Sequence, residues 1–138
     1  MPALTADRNT PRADGDVESY GVAAAALIYA GAIVALSATG FATPGATATT
    51  LVTVGRAEER VDNTDGAAGD VKVRVRRGVF QFANSAGADE ITAAEIGDDC
   101  YIVDDQTVAK TDDTGARSVA GKVVQVDDNG VWVKLGIV

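Results

Sequence analysis

In VKVRVRRGVFQF, Val71, Val73 and Val75 alternate with Lys72, Arg74 and Arg76. Period two predicts a half-buried β-strand with a basic outer row. The phase breaks at Arg77-Gly78, after which Phe80 and Phe82 take the inward positions. A glycine bulge there would re-aim the side chains by one residue. AGKVVQVDDNGVWVKLG repeats the alternation, with Val131, Val133 and Leu135 against Trp132 and Lys134. Its Asn129-Gly130 is the dipeptide favoured by a type I′ turn, so the segment reads as an antiparallel hairpin.

Upstream, ITAAEIGDD reads as one helical turn and CYIVDDQTVAKT as a hairpin turning near Asp104 to Thr107. LVTVGRAEERVDN reads as a strand, with a bulge at Gly55 and with Arg56, Glu58, Glu59 and Arg60 toward water. Pro44-Gly45 marks a turn and TDGAAGD a loop. Strands of this kind, roughly every ten residues, predict an all-β fold, a small antiparallel β-barrel or sandwich over residues 17–138. Residues 1–16 carry Pro2, Pro11 and Gly15 and no apolar period, and read as an extended N-terminal arm.

One stretch breaks the alternation: no residue from Ser19 to Gly55 is charged. A membrane-crossing helix needs about 20 mainly apolar residues. This run is instead rich in Ala, Gly, Ser and Thr. Asp14, Asp16 and Glu18 precede it, and no Lys/Arg cluster closes it. A soluble helix over Val22 to Leu36 would carry Gly31 at its centre and no charged face. The run reads better as two short strands, Ala25 to Tyr29 and Ala32 to Ser37, joined in a hairpin at Ala30-Gly31. A strand apolar on both faces needs cover on both. One face belongs to the core, and the other fits a subunit interface, where charge is depleted. Leu27, Ile28, Tyr29, Ile33, Val34 and Leu36 are the candidate interface residues.

Charge and chemistry narrow the function. With 12 basic against 20 acidic residues, the 138-residue chain has a net charge of −8. That opposes binding to nucleic acid or to an anionic membrane surface. There is no histidine, so the usual general base and commonest metal ligand are missing. One cysteine, Cys100, forms no internal disulfide and has no histidine to activate it; it reads as a small core residue. The pairs Asp98-Asp99, Asp104-Asp105, Asp112-Asp113 and Asp127-Asp128 fall at expected turns, where Asp bonds its local backbone. DNTDG, from Asp62 to Gly66, has a calcium-loop flavour without the closing glutamate. Lys72, Arg74, Arg76 and Arg77, followed by Phe80 and Phe82, read as a solvated face or an ion-pairing surface for an acidic partner, ahead of a nucleic-acid strip. No enzyme, metal site or cofactor is expected. The polar MPALTADRNTPRADGD does not read as a secretory signal, and cytoplasmic synthesis is expected.

Six segments in order, LTADRNTPRADGD, IYAGAIVAL, VGRAEERVDN, VRRGVFQFANS, CYIVDDQTV and AGKVVQVDDNGVWV, carry a resemblance across nearly the whole chain. The chain resembles the small capsid decoration (cement) proteins of tailed bacteriophages, particularly those of Mu-like phages and prophages. The resemblance implies a compact β-barrel-like domain, usually a homotrimer, on the outer surface of the virion head. There it would bridge neighbouring copies of the major capsid protein, without catalytic residues. On this reading Thr5, Asp7, Arg8, Asn9 and Arg12 of the arm are the capsid-contact candidates, with the two arginines reaching acidic groups. The rival expectation is a surface-exposed β module that binds carbohydrate or a host receptor.

Overall fold

The computed structural model describes residues 3–10 and 15–136. Strands are numbered along the chain. The first sheet, in the order β1-β7-β5-β3-β4, contains β1 (Val17–Gly21), β7 (Lys72–Arg76), β5 (Val52–Ala57), β3 (Ile33–Leu36) and β4 (Ala42–Pro44). The second, in the order β10-β9-β11-β12-β8, contains β10 (Val108–Ala109), β9 (Asp99–Ile102), β11 (Val119–Asp127), β12 (Gly130–Leu135) and β8 (Gly78–Phe82). A separate ribbon pairs β2 (Leu27–Ile28) with β6 (Val61–Asp62). Every ladder is antiparallel. The fold is all-β, and its sheets stack as a sandwich without closing into a barrel.

Two hydrophobic cores hold these layers. One gathers Ile33 and Ala35 of β3 with Phe82, Ile91, Cys100, Ile102, Val123, Val131, Val133 and Leu135, and lies between the sheets. The other gathers Val34 with Val22, Ile28, Ala42, Val54, Val73 and Val75, on the opposite face of the first sheet beneath the β2–β6 ribbon. Each fully buried Ile or Val withdraws enough apolar surface to contribute about 1.5–3 kcal/mol. At β3 the first sheet is therefore apolar on both faces, as buried strands are.

This arrangement explains the uncharged run and corrects its reading. The two apolar strands exist, but they do not form a hairpin with each other. β2 pairs with β6, whereas β3 pairs with β4 and β5. The turn between them, in which Ala32 N–H donates to Tyr29 O at 3.2 Å, hands the chain from the ribbon to the sheet. Ile28, Ile33 and Val34 are each 0% exposed in the single chain, because both faces of β3 are covered by the chain itself. Charge is missing from β3 because that strand is internal.

Two further readings change. β7 keeps the expected alternation, with Val73 and Val75 buried between exposed Lys72, Arg74 and Arg76, while Val71 lies exposed before the strand. The phase break at Arg77-Gly78 is not a bulge: the chain leaves the first sheet after β7 and enters the second as β8. The inward side changes because the core it faces changes. In the last hairpin Asp127 pairs with Gly130, so the two-residue turn is Asp128-Asn129. Neither residue has positive φ, which excludes type I′. Asp127 explains the shift, since its Oδ1 accepts the N–H groups of Asn129 (2.8 Å) and Gly130 (3.2 Å) and builds the turn from the side chain.

LVTVGRAEERVDN, read as one strand, splits into β5 in the first sheet and β6 in the ribbon, and Pro44 ends β4 before Gly45. The next elements stand where the pattern put them. β9 and β10 pair Ile102 with Val108. The helical turn is a 3-10 segment, Ala93–Glu95, closed by a capping box: Glu95 Oε1 accepts Thr92 N–H at 2.7 Å and Thr92 Oγ1 accepts Ala94 N–H at 3.3 Å. Gly55 sits at a register shift between β3 and β5 with φ near +149°, and a Cβ there would come within 2.5 Å of Arg76 O.

Candidate interaction surfaces

The arm, the charged face of β7 and the outer face of the second sheet are three of the exposed surfaces among the described residues. In the arm, Ala3 to Thr10 are exposed throughout, and Leu4 is 74% exposed. Thr5, Asp7, Arg8 and Asn9 share this exposure; Arg12 lies outside the described residues. The one hydrogen bond made by Ala3 to Thr10 among the described residues is internal, from Thr10 N–H to Arg8 O at 3.1 Å. The Gly15 carbonyl accepts from the Arg77 guanidinium, and the Asp16 carbonyl accepts Arg77 N–H at 2.8 Å. Arg77, at the crossover between the sheets, thus pins the base of the arm.

The interface candidates divide by burial. Ile28, Ile33 and Val34 offer nothing to a partner. Leu27 and Leu36 are half-buried, and Tyr29 is 54% exposed with the Arg60 guanidinium stacked 5.6 Å from its ring centre. Ile28, Ile33 and Val34 therefore carry no argument for association, while Leu27, Tyr29 and Leu36 retain exposed surface.

On β7 the basic row is largely neutralised within the chain. Glu58 Oε1 bridges Arg76 (2.5 Å) and Arg56 (3.0 Å), and Glu59 Oε2 pairs with Arg74 at 3.2 Å. Arg56 also stacks over Phe80, 4.5 Å from the ring centre. The hydrogen bond and positive charge of Arg76, with help from Arg56, hold the Glu58 carboxyl below its ordinary value.

In three of the four acidic pairs one member, Asp99, Asp104 or Asp127, serves as a turn or ion-pair group. Asp104 Oδ1 accepts Gln106 N–H at 2.9 Å, and Asp99 pairs with Lys122 at 2.8 Å. In DNTDG, Asp62 accepts from Thr64, whereas Asn63 is buried and its amide donates to the carbonyls of Ala23 and Ala67 at 3.0 Å each. No group of three acidic, cysteine or histidine side chains converges as a metal cage among the described residues. Cys100 is 0% exposed, and burial pushes its thiol up to about 12.

Sequence reasoning missed two constellations. Arg117 Nη1 donates to Asp89 Oδ2 (3.2 Å) and Thr111 O (3.1 Å), and Thr111 Oγ1 donates to Asp89 Oδ1, stapling two loops. Their separation in sequence hid them. Asp127 Oδ2 accepts the Trp132 indole N–H at 3.0 Å, which with the two turn N–H groups lowers the Asp127 carboxyl below its ordinary value. A hairpin with an Asp five residues before a Trp was the available signal.

Set against known proteins, the chain matches no family model, no curated protein and no solved structure.

Proposed function

We propose that this protein is a structural virion component that binds the outer surface of a phage head and stabilises the major capsid protein lattice by bridging neighbouring subunits. The observation that carries this reading is the arm. Eight consecutive exposed residues, Ala3 to Thr10, precede a rigid two-core sandwich, and their base is held by Arg77. Such a segment has unspent backbone donors and acceptors, an exposed Leu4 and the cation of Arg8, all available to a neighbouring protein.

The resemblance to decoration proteins of Mu-like phages supports the same reading, as does the net charge of −8, which disfavours stray contact with packaged DNA. The homotrimer belongs to the proposal, built on surfaces other than Ile28, Ile33 and Val34. Co-sedimentation of the purified chain with expanded and unexpanded heads of the phage or prophage that encodes it tests the function. Saturable binding confined to expanded heads is expected; absence of binding to either form would end the proposal.

A further inference from the structure

Trp132 belongs to neither hydrophobic core and lies partly buried on the outer face of the second sheet. Register places Gln125 of β11 and Gln81 of β8 directly opposite it on the two flanking strands. Directly paired residues share a face, so three adjacent strands present the row Gln125–Trp132–Gln81. The neighbouring row is Asp99–Lys122–Lys134–Val79, in which Val79 is 45% exposed.

The indole is fixed in place. Asp127 takes its N–H at 3.0 Å, while the other carboxylate oxygen accepts Asn129 N–H, Gly130 N–H and, at 3.4 Å, the Gln81 amide. The ring is held by a carboxylate that the turn itself immobilises. Gln81 keeps its amide oxygen, and Gln125, whose Oε1 accepts Val126 N–H at 3.0 Å, keeps its amide nitrogen, without partners among the described residues. Charge nearby is sparse: Lys122 is paired with Asp99 at 2.8 Å, and Lys134, opposite Lys122, is a single cation without an ion pair among the described residues.

A fixed aromatic face between two planar amides suits a neutral ring that is apolar on its flat side and hydroxylated around its rim. A pyranose with equatorial substituents has that form. Its axial C–H groups meet the indole face, and its hydroxyls meet groups that both donate and accept. An anionic ligand would call for clustered unpaired cations, which this row lacks. We propose that Gln125, Trp132 and Gln81 form a saccharide-binding platform for oligosaccharides of equatorially substituted, β-linked glucose or N-acetylglucosamine units. The platform stands on the register and on the hydrogen bonds that fix Trp132, and does not depend on the proposed role in the virion.

Trp132 is the sole tryptophan, so its emission reports directly on the site. The experiment titrates the full chain with cellotetraose, chitotetraose and, separately, a short oligothymidylate, up to about 10 mM, which covers weak single-site affinities. A saturable emission change with either saccharide is expected. The double variant Gln81→Ala/Gln125→Ala, whose side chains are exposed and outside both cores, is expected to weaken binding about tenfold or more. Calorimetric titration of Trp132→Ala, with its fold checked by circular dichroism, is expected to show no binding. No response to either saccharide overturns the proposal. So does a response that survives unchanged in the double variant, or one given by the oligothymidylate in place of the sugars.

Discussion

Ile33 and Val34 are adjacent in β3, both fully buried, and belong to different hydrophobic cores. Strand alternation sends one side chain toward the second sheet and the next toward the β2–β6 ribbon, so a single strand anchors three layers.

Truncation on either side should therefore be costly. Ile33→Ala is expected to lower unfolding stability by about 2–5 kcal/mol through lost burial and a residual cavity, and Ile33→Val by about 1 kcal/mol. Val34→Asp, which buries a charge with no partner, is expected to prevent folding. Urea titration followed by circular dichroism measures the first two, and soluble yield the third.

How far the chain could be read in advance turns on this strand. The alternation around Val73, Val75, Val131 and Val133 was legible because one face of each strand meets water and the residue types say so. Ile33, Val34 and Ala35 carry no alternation, so the sequence could not tell an inner layer from a subunit interface. The hairpin between β2 and β3 was misread for the same reason, since pairing with β6 depends on a strand more than 30 residues away. The sheet change at Arg77-Gly78 left the same mark on the pattern as a bulge would. Of the candidate sites, the arm was singled out by composition, and its residues Ala3 to Thr10 are exposed. The Gln125–Trp132–Gln81 row was not, because it exists only once β8, β11 and β12 are in register.

Cys100 offers a chemical reading of core integrity. With no exposure and a thiol pushed up to about 12 by burial, it is expected to be inert to an aromatic disulfide reagent at about pH 8 in the native state. It should react at once in denaturant. Native-state reaction at the rate of a free thiol would contradict the packing of the inter-sheet core.

Gly121 lies between Cys100 of β9 and Leu135 of β12, beside a register shift, and a Cβ on it would collide with the Lys134 carbonyl. Gly121→Ala is expected to cost about 1–3 kcal/mol as the strands are forced apart. Gly31→Ala, where nothing crowds the added carbon, isolates the separate cost of positive φ. Thermal unfolding of the two variants compares crowding with backbone strain.

Acid should destabilise the fold through named carboxylates. Glu58 is lowered chiefly by its Arg76 hydrogen bond, Asp89 by that of Thr111 and Asp127 by that of Trp132. A carboxyl lowered by folding contributes stability above its unfolded value, near about 4, and loses it as pH falls through the lower folded value. Melting temperature is thus expected to stay level from neutrality down to about pH 5 and then drop. Asp127→Asn is expected to make the acid limb shallower and to alter Trp132 emission at neutral pH. An unchanged acid limb in this variant would contradict the assigned linkage.

Light scattering on a sizing column addresses association separately from head binding. The proposed homotrimer is expected to run at about three times the 14.1 kDa chain mass. In that event Ile33→Val, buried within the chain, should leave the mass unchanged.

The most direct test of the account is quantitative head binding with and without the arm. Removing residues 1–14 spares Gly15, whose carbonyl meets Arg77, and both cores. If the arm bridges capsid subunits, the shortened chain should keep its melting temperature while its affinity for expanded heads falls about a hundredfold or more, equivalent to losing several charge-assisted contacts. A shortened chain that binds expanded heads as tightly as the full one would contradict the claim that the arm does the binding.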